Sequence, residues 1–427
     1  MNSKTNTLKI ISNIFYILAF LSLAIFSSYN SLFAIQLKIP EISIFVLFII
    51  ISFICYWLYT KKIDFNFILL YLLLIREAGL FIGCSLNKVS YSEFFNDLII
   101  SFIIYFVYFF SRLISGKTLF NSIIFFSLIV SIELLITVIF NHTTDKNLII
   151  SAIGASNYAA AFLLLTFTLL INLNTTKLRL LYLFIITAGI LCTKSVGCFV
   201  AMFIITIISI IVNKKCLFRI IKWWQYFYIV LIILMFFIIN KETLLSFFTN
   251  IRYKLEFLFK GDLNSFSASR IELYGFTLNN IKNNLWFGPV VNYDSSVDAL
   301  YRFQNSKAHN FLLESLVKYG LLGTLVNFII VYYIIKNIKK NKKGLYSILD
   351  KALILSLIAI LIHGLIEPNL FTMRFDIFVF AILGYLSKNT YKGINFKKNY
   401  HYKKNLFWGI LIDNTKSNEL YDLLNLY

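Results

Sequence analysis

The chain is poor in the residues that punctuate and charge a soluble protein. Three prolines (Pro40, Pro289 and Pro368) stand in 427 residues, and only 14% of the residues are charged. A soluble domain is about a quarter charged and about half apolar. Here 59% of residues are apolar or aromatic. A soluble protein of this length could not bury that much apolar surface. A secreted enzyme, a soluble dinucleotide-binding enzyme and a disordered chain are therefore excluded. Acidic residues are scarce too, with 20 Asp+Glu against 40 Lys+Arg. In a soluble protein a net charge of +20 would suggest nucleic acid. No RNA-binding aromatic box, Walker A or GxGxxG element follows a predicted strand, so no nucleic-acid partner is expected. The five cysteines (Cys55, Cys84, Cys192, Cys198 and Cys216) lie in or beside apolar stretches without zinc-site spacing. They read as small apolar residues.

What is present is a series of apolar runs. A membrane span needs about 20 mostly apolar residues. Twelve segments qualify: 10–28, 42–59, 67–84, 95–111, 119–140, 151–172, 179–193, 197–213, 225–240, 318–335, 351–366 and 375–387. Basic residues alternate from loop to loop. Lys61 and Lys62, Arg112 and Lys117, Lys177 and Arg179, Lys214 to Lys222, and Lys336 to Lys343 fall on one side. The short loops of the other side carry few, namely Lys38, Lys88, Lys146 and Arg374. The positive-inside rule then predicts an all-α polytopic membrane protein with about 12 spans and both termini cytoplasmic. The first segment, flanked by Lys4 and Lys9, reads as an uncleaved anchor. The expected organisation is spans one to nine in 1–240, an outer loop in 241–317, spans ten to twelve in 318–387 and a basic cytoplasmic tail in 388–427.

The outer loop is too long to be a mere connection. Ser269 and Glu272 have capping-box spacing. Ile271, Tyr274, Leu278, Ile281 and Leu285 follow at helical intervals, and Gly288-Pro289 stops the run. This predicts an amphipathic helix lying over the membrane domain. Arg270 would stand in its first turn, where free N–H groups and a guanidinium together favour an anion such as phosphate. Further on, Phe311, Leu312, Ser315, Leu316 and Tyr319 give a second helical apolar face, with His309 near its outer end. A histidine there can accept a proton near neutral pH.

Charges inside apolar runs are costly and usually functional. Arg76 and Glu77 are neighbours in the third span. Because adjacent helix positions do not face one another, each is expected to pair with another helix, or Arg76 to meet a lipid diphosphate. Glu133 in the fifth span has no evident partner. His363 and Glu367 have i,i+4 spacing and could pair.

These motifs together resemble the O-antigen ligase/polymerase superfamily of bacterial cell-surface polysaccharide enzymes. The resemblance rests on Ser269-Arg270, on His309-Asn310, and on Tyr319-Gly320-Leu321-Leu322-Gly323. Asn283-Asn284-Leu285-Trp286-Phe287-Gly288 is similar to the family's helix exit. Weaker likenesses are Gly154-Ala155-Ser156-Asn157 and Leu361-Ile362-His363-Gly364-Leu365-Ile366-Glu367. One element departs: Thr193-Lys194-Ser195-Val196-Gly197 carries Val196 where many members have arginine, and Lys194 is a point charge, not a bidentate fork.

The resemblance implies a GT-C-like glycosyltransferase acting on the outer face. Its donor would be a polyprenyl-diphosphate-linked oligosaccharide, used without cofactor or metal and with inversion. His309 would be the base and Arg270 the cation at the leaving diphosphate. Lys194, Arg302, Asn310, Asn157 and Arg76 would contact substrate. The lipid bilayer, a flippase and a chain-length regulator are the implied partners. A repeat-unit polymerase is the leading reading. A ligase moving finished glycan to another acceptor uses the same chemistry, and a lipid-linked glycan flippase is the rival from another class. A transporter should show internal repeats and a cation-lined cavity, and the sequence shows neither.

Overall fold

The computed structural model describes residues 3–26, 35, 41–60, 67–88, 90–141, 149–173, 177–212, 245, 249, 252–253, 256–257, 259–262, 270–283, 285–288, 310–342, 346–365 and 372–388. Among these, the helices are α1 (Ser3–Ile25), α2 (Glu41–Thr60), α3 (Ile68–Leu86), α4 (Ser92–Ser111), α5 (Gly116–Asn141), α6 (Ser156–Ile171), α7 (Lys177–Cys192), α8 (Val196–Val212), α9 (Arg270–Asn283), α10 (Phe311–Lys342), α11 (Ile348–Gly364) and α12 (Met373–Leu386). A two-residue hairpin, β1 (Ile150–Ser151) against β2 (Gly154–Ala155), precedes α6. Among the described residues, six helices are long and apolar enough to cross a membrane: α1 to α5 and α10. α6, α7 and α8 are apolar but shorter. Eleven of the twelve apolar segments fall on helices; the ninth, 225–240, lies outside the described residues.

Polytopic helices associate through close packing and polar contacts, because lipid is as apolar as the side chains. α6 supplies the centre: Ala159, Ala160 and Ala161 are fully buried and let α7, α8 and α11 approach. The abundant phenylalanines fill the remaining volume as interlocked rings. Phe378 of α12 meets Phe20 of α1 at 4.8 Å, Phe126 of α5 at 4.5 Å and Phe162 of α6 at 5.1 Å between centroids. Such offset and edge-on pairs favour a fixed geometry. Hydroxyls tie helices where rings do not. Tyr16 and Ser111 share a 2.6 Å hydrogen bond, as do Ser127 and Thr166, and Asn172 donates to Ser209 at 2.9 Å.

The two bundle ends differ. At the basic end, buried Lys342 pairs with Asp350 at 3.0 Å, and Asp350 also closes a capping box with Ser347. At the other end the backbone is irregular. α10 is interrupted at Gly320, whose φ of 67° and ψ of −174° lie in a region that is essentially glycine-only. The Leu321 and Leu322 amides leave the helical pattern and donate to Leu285 O at 2.8 Å and Trp286 O at 3.3 Å. Residues 285–288 thus run as a strap across the break. A side chain would not fit along it. A Cβ on Gly320 would lie 2.6 Å from Trp286 O, and one on Gly288 would lie 2.3 Å from Lys318 O. On the far side, a Cβ on Gly83 of α3 would overlap the Gly288 carbonyl. Three glycines therefore let strap, α3 and α10 meet backbone to backbone.

α9 corrects one expectation. The stripe Ile271, Tyr274, Leu278, Ile281 and Leu285 was to face the membrane domain. Instead Leu273, Thr277 and Ile281 are buried, while Ile271 and Leu278 are nearly half exposed. The helix has a wide apolar arc, and the bundle covers only the side centred on Leu273 and Thr277. α9 ends at Asn283, before the Gly288-Pro289 stop. α10 starts at Phe311, so the boundary drawn at 317/318 falls inside a helix.

Gly288→Ala should lower the thermal midpoint of the detergent-purified protein by several degrees, an overpacking cost of about 1–3 kcal/mol. Gly275→Ala, on α9 with nothing within 4 Å of the new methyl, should leave it unchanged or slightly raised. Equal midpoints for the two variants would contradict the tight contact at the strap.

Candidate functional site

Asn310, Asn157 and Lys194 stand at helix ends on the irregular side of the bundle. Short links make successive helices antiparallel, so the ends of α3, α5, α7 and α11 meet the starts of α4, α6, α8, α10 and α12 there. Direct contacts join them. Arg374, at the start of α12, donates to Ala152 O in the hairpin and to Phe26 O just beyond α1. Asn310 Nδ2 donates to Leu365 O just beyond α11 at 3.2 Å. Asn87, just beyond α3, donates to Phe287 O of the strap at 3.3 Å.

Asn310 caps α10. Its Oδ1 accepts from Leu312 N at 2.9 Å and Leu313 N at 3.3 Å, satisfying two amides that have no partner within the helix. Beside it, Phe311 packs near Gly364, and His363 is fully buried in the last turn of α11. His309 and Arg302 lie outside the described residues, as do Ser269, Glu367, His142 and His401. Arg270 is the first residue of α9 and is half-buried.

Lys194 occupies the turn between α7 and α8 with φ of 53°, a left-handed conformation unusual for a residue with a side chain. It is 7% exposed. Thr193 and Ser195 shape that turn: Thr193 Oγ1 donates to Ile190 O at 2.6 Å and accepts from Ser195 N at 3.3 Å. Asn157 stands half-buried in the first turn of α6, directly after the hairpin. Glu133 of α5 finds its partner there. Both carboxylate oxygens lie 2.9 Å from the Ala152 amide. Glu133 and Arg374 thus grip the N–H and C=O of one hairpin residue, supplying partners that a buried backbone requires.

A polar cluster joins α3, α4 and α10 beside the Gly320 break, and here the sequence reading of Arg76 and Glu77 is corrected. They pair with each other: Arg76 Nε and Nη2 donate to Glu77 Oε1 at 2.9 and 2.6 Å. The rule that adjacent helix positions diverge concerns Cβ directions, and a guanidinium on a long stem folds back across that angle. Arg76 Nη2 also donates to Ser101 at 2.8 Å, and Nη1 to Asn327 at 3.2 Å. The Tyr319 ring covers the guanidinium at 4.5 Å. On the other side of that ring, Asp97 accepts from Lys318 Nζ at 2.5 Å and from Tyr319 Oη at 2.6 Å. The cluster holds two cations and two anions. Asp97 was not singled out in the sequence, although a carboxylate in the first turn of an apolar span is itself a signal.

Fold and cluster define a polytopic helical membrane protein with a built polar site at one end of the bundle. Residues 180–328, about a third of the chain, match the family model described as O-antigen ligase. Over that stretch the chain is similar to the O-antigen ligase family, which supports the resemblance to the O-antigen ligase/polymerase superfamily. No curated protein gives a significant match. The matched stretch contains Lys194, Arg270, Arg302, His309 and Asn310; Arg76 and Asn157 lie outside it.

Arg76→Gln should destabilise the protein by about 3–5 kcal/mol, because it strands the buried Glu77 carboxylate. Arg76→Met combined with Glu77→Leu should recover most of that loss. Melting curves of the two variants check this; a double variant no more stable than the single one would mean that the pair is not self-contained.

Proposed function

We propose that the protein is a membrane glycosyltransferase that polymerises polyprenyl-diphosphate-linked oligosaccharide repeat units into a cell-surface polysaccharide on the outer face of the membrane. The observation that carries this is the family match over 180–328, which holds the motif arginine Arg270 and the motif histidine His309. The acceptor sugar's hydroxyl attacks the anomeric carbon of the donor. His309 takes the hydroxyl proton, the anomeric carbon–oxygen bond breaks, and the lipid diphosphate departs. Direct displacement inverts the anomeric centre. A diphosphate leaves without an acid when cations meet its growing charge. Arg270, with Lys194 and Arg302, supplies them.

The geometry supports an allocation of roles. Asn310 spends its amide on capping α10 and on Leu365 O, so it fixes the start of α10. Arg76, buried with four of its five N–H groups on Glu77, Ser101 and Asn327, belongs to the frame and leaves the diphosphate to Arg270. Asn157 and Lys194, at the same end of the bundle, stand within the substrate set. A flippase that delivers the donor and a regulator that sets chain length are the partners proposed for this activity.

The test is a reconstituted assay with purified lipid-linked repeat unit, read as a gel ladder. His309→Gln, which hydrogen-bonds but takes no proton, should slow the reaction about 10²–10⁴-fold. The wild-type rate should fall as pH drops through the histidine's pKa, near 6.5 if unperturbed, because only neutral imidazole accepts the proton. Arg270→Lys should do nearly as badly as Arg270→Ala, since a lysine cannot clamp two oxygens. A normal ladder from His309→Gln would remove it as base. Transfer of preformed glycan with no ladder would replace the polymerase by a ligase.

A further inference from the structure

We propose that Asp97 is a positioning residue: its carboxylate latches α10 to α4 at the Gly320 break and so fixes the strap and, through α9, the place of Arg270. This rests on the reading of Arg270 given above. Asp97 is 3% exposed, and its two oxygens are each taken by a different donor, Lys318 Nζ and Tyr319 Oη. Those donors are the two residues before Gly320. The two residues after it, Leu321 and Leu322, hold the strap through their amides. The latch and the strap therefore grip opposite sides of one break. Gly288 closes the connection, because its backbone lies against both the Lys318 carbonyl and Gly83 of α3.

α9 ends one residue before the strap and carries Arg270 at its far end. Its 14 residues make a rod of about 21 Å at 1.5 Å per residue. A tilt of about 10° at the strap would move Arg270 by roughly 3–4 Å by simple leverage on that length. Displacements of about 1 Å can cost 10²-fold in rate. Asp97 itself is buried, and each of its oxygens already accepts from a side chain of α10. Its influence on the reaction is through the strap.

Two readouts test the latch. The first does not depend on transfer. In a chain freed of its native cysteines, Asn87→Cys and Phe287→Cys should be joined by a short bifunctional thiol reagent, since Asn87 touches the strap. Adding Asp97→Asn, which keeps an acceptor for Tyr319 but removes the charge that holds Lys318, should cut the cross-link yield about threefold or more. Lys318→Met should act in the same direction, which guards against a variant that fails to fold. The second readout is a double-mutant cycle in the ladder assay. Asp97→Asn should slow transfer on the order of tenfold, and adding it to Arg270→Ala should cost nothing more, because both act through one group. Unchanged cross-linking in both variants would overturn the latch. Losses that multiply in the cycle would overturn its action through Arg270. If Arg270→Ala transfers normally while the cross-link falls, the reading of Arg270 fails and the latch stands.

Discussion

A helix that breaks inside a packed bundle exposes amides and carbonyls that lipid cannot satisfy. The break in α10 at Gly320 is the constraint around which this end of the protein is built. The strap of residues 285–288 answers it with two carbonyls, and Gly83, Gly288 and Gly320 leave room for the backbones to meet. Because the strap continues from α9, the same hydrogen bonds that satisfy α10 also seat the polar segment on the membrane bundle. A structural necessity and the placement of a candidate site are thereby one interaction.

Buried charge surrounds the break, and it follows a single logic. Asp97 has two cationic or hydroxyl donors, Arg76 has three acceptors, and Glu133 and Arg374 hold opposite ends of one peptide unit. None of these groups relies on bulk water. Such clusters contribute little stability relative to apolar packing, but removing one member is costly. They therefore act as geometric pins. All four pins sit on helices outside the family-matched stretch, so the frame around the site is drawn from the chain's first 150 residues and its last spans.

Much of this was legible in the sequence, and the gaps have physical causes. Apolar runs gave helix positions because hydropathy and length suffice for a span. The elements Leu285-Trp286-Phe287-Gly288 and Tyr319-Gly320-Leu321 were visible as motifs, yet nothing in one sequence says that they hydrogen-bond to each other across more than thirty residues. The α9 stripe was misplaced because an apolar arc wider than the covered face has no unique centre. Arg76 and Glu77 were misjudged because periodicity describes Cβ directions and ignores a five-atom stem. Asp97 is not evident from the sequence because its partners, Lys318 and Tyr319, lie more than 200 residues further on. His309 and Arg302 lie outside the described residues.

Hydrogen exchange at the Leu321 and Leu322 amides, in protein embedded in lipid nanodiscs, tests the central claim most directly. Those amides have left the helix ladder, and their protection comes from Leu285 O and Trp286 O. The account predicts slow exchange in the wild type and acceleration of about tenfold or more in Gly288→Ala, where the strap is pushed off the break. Equal rates in the two proteins would mean that the bilayer or the helix itself protects these amides, and that the strap does not hold α10.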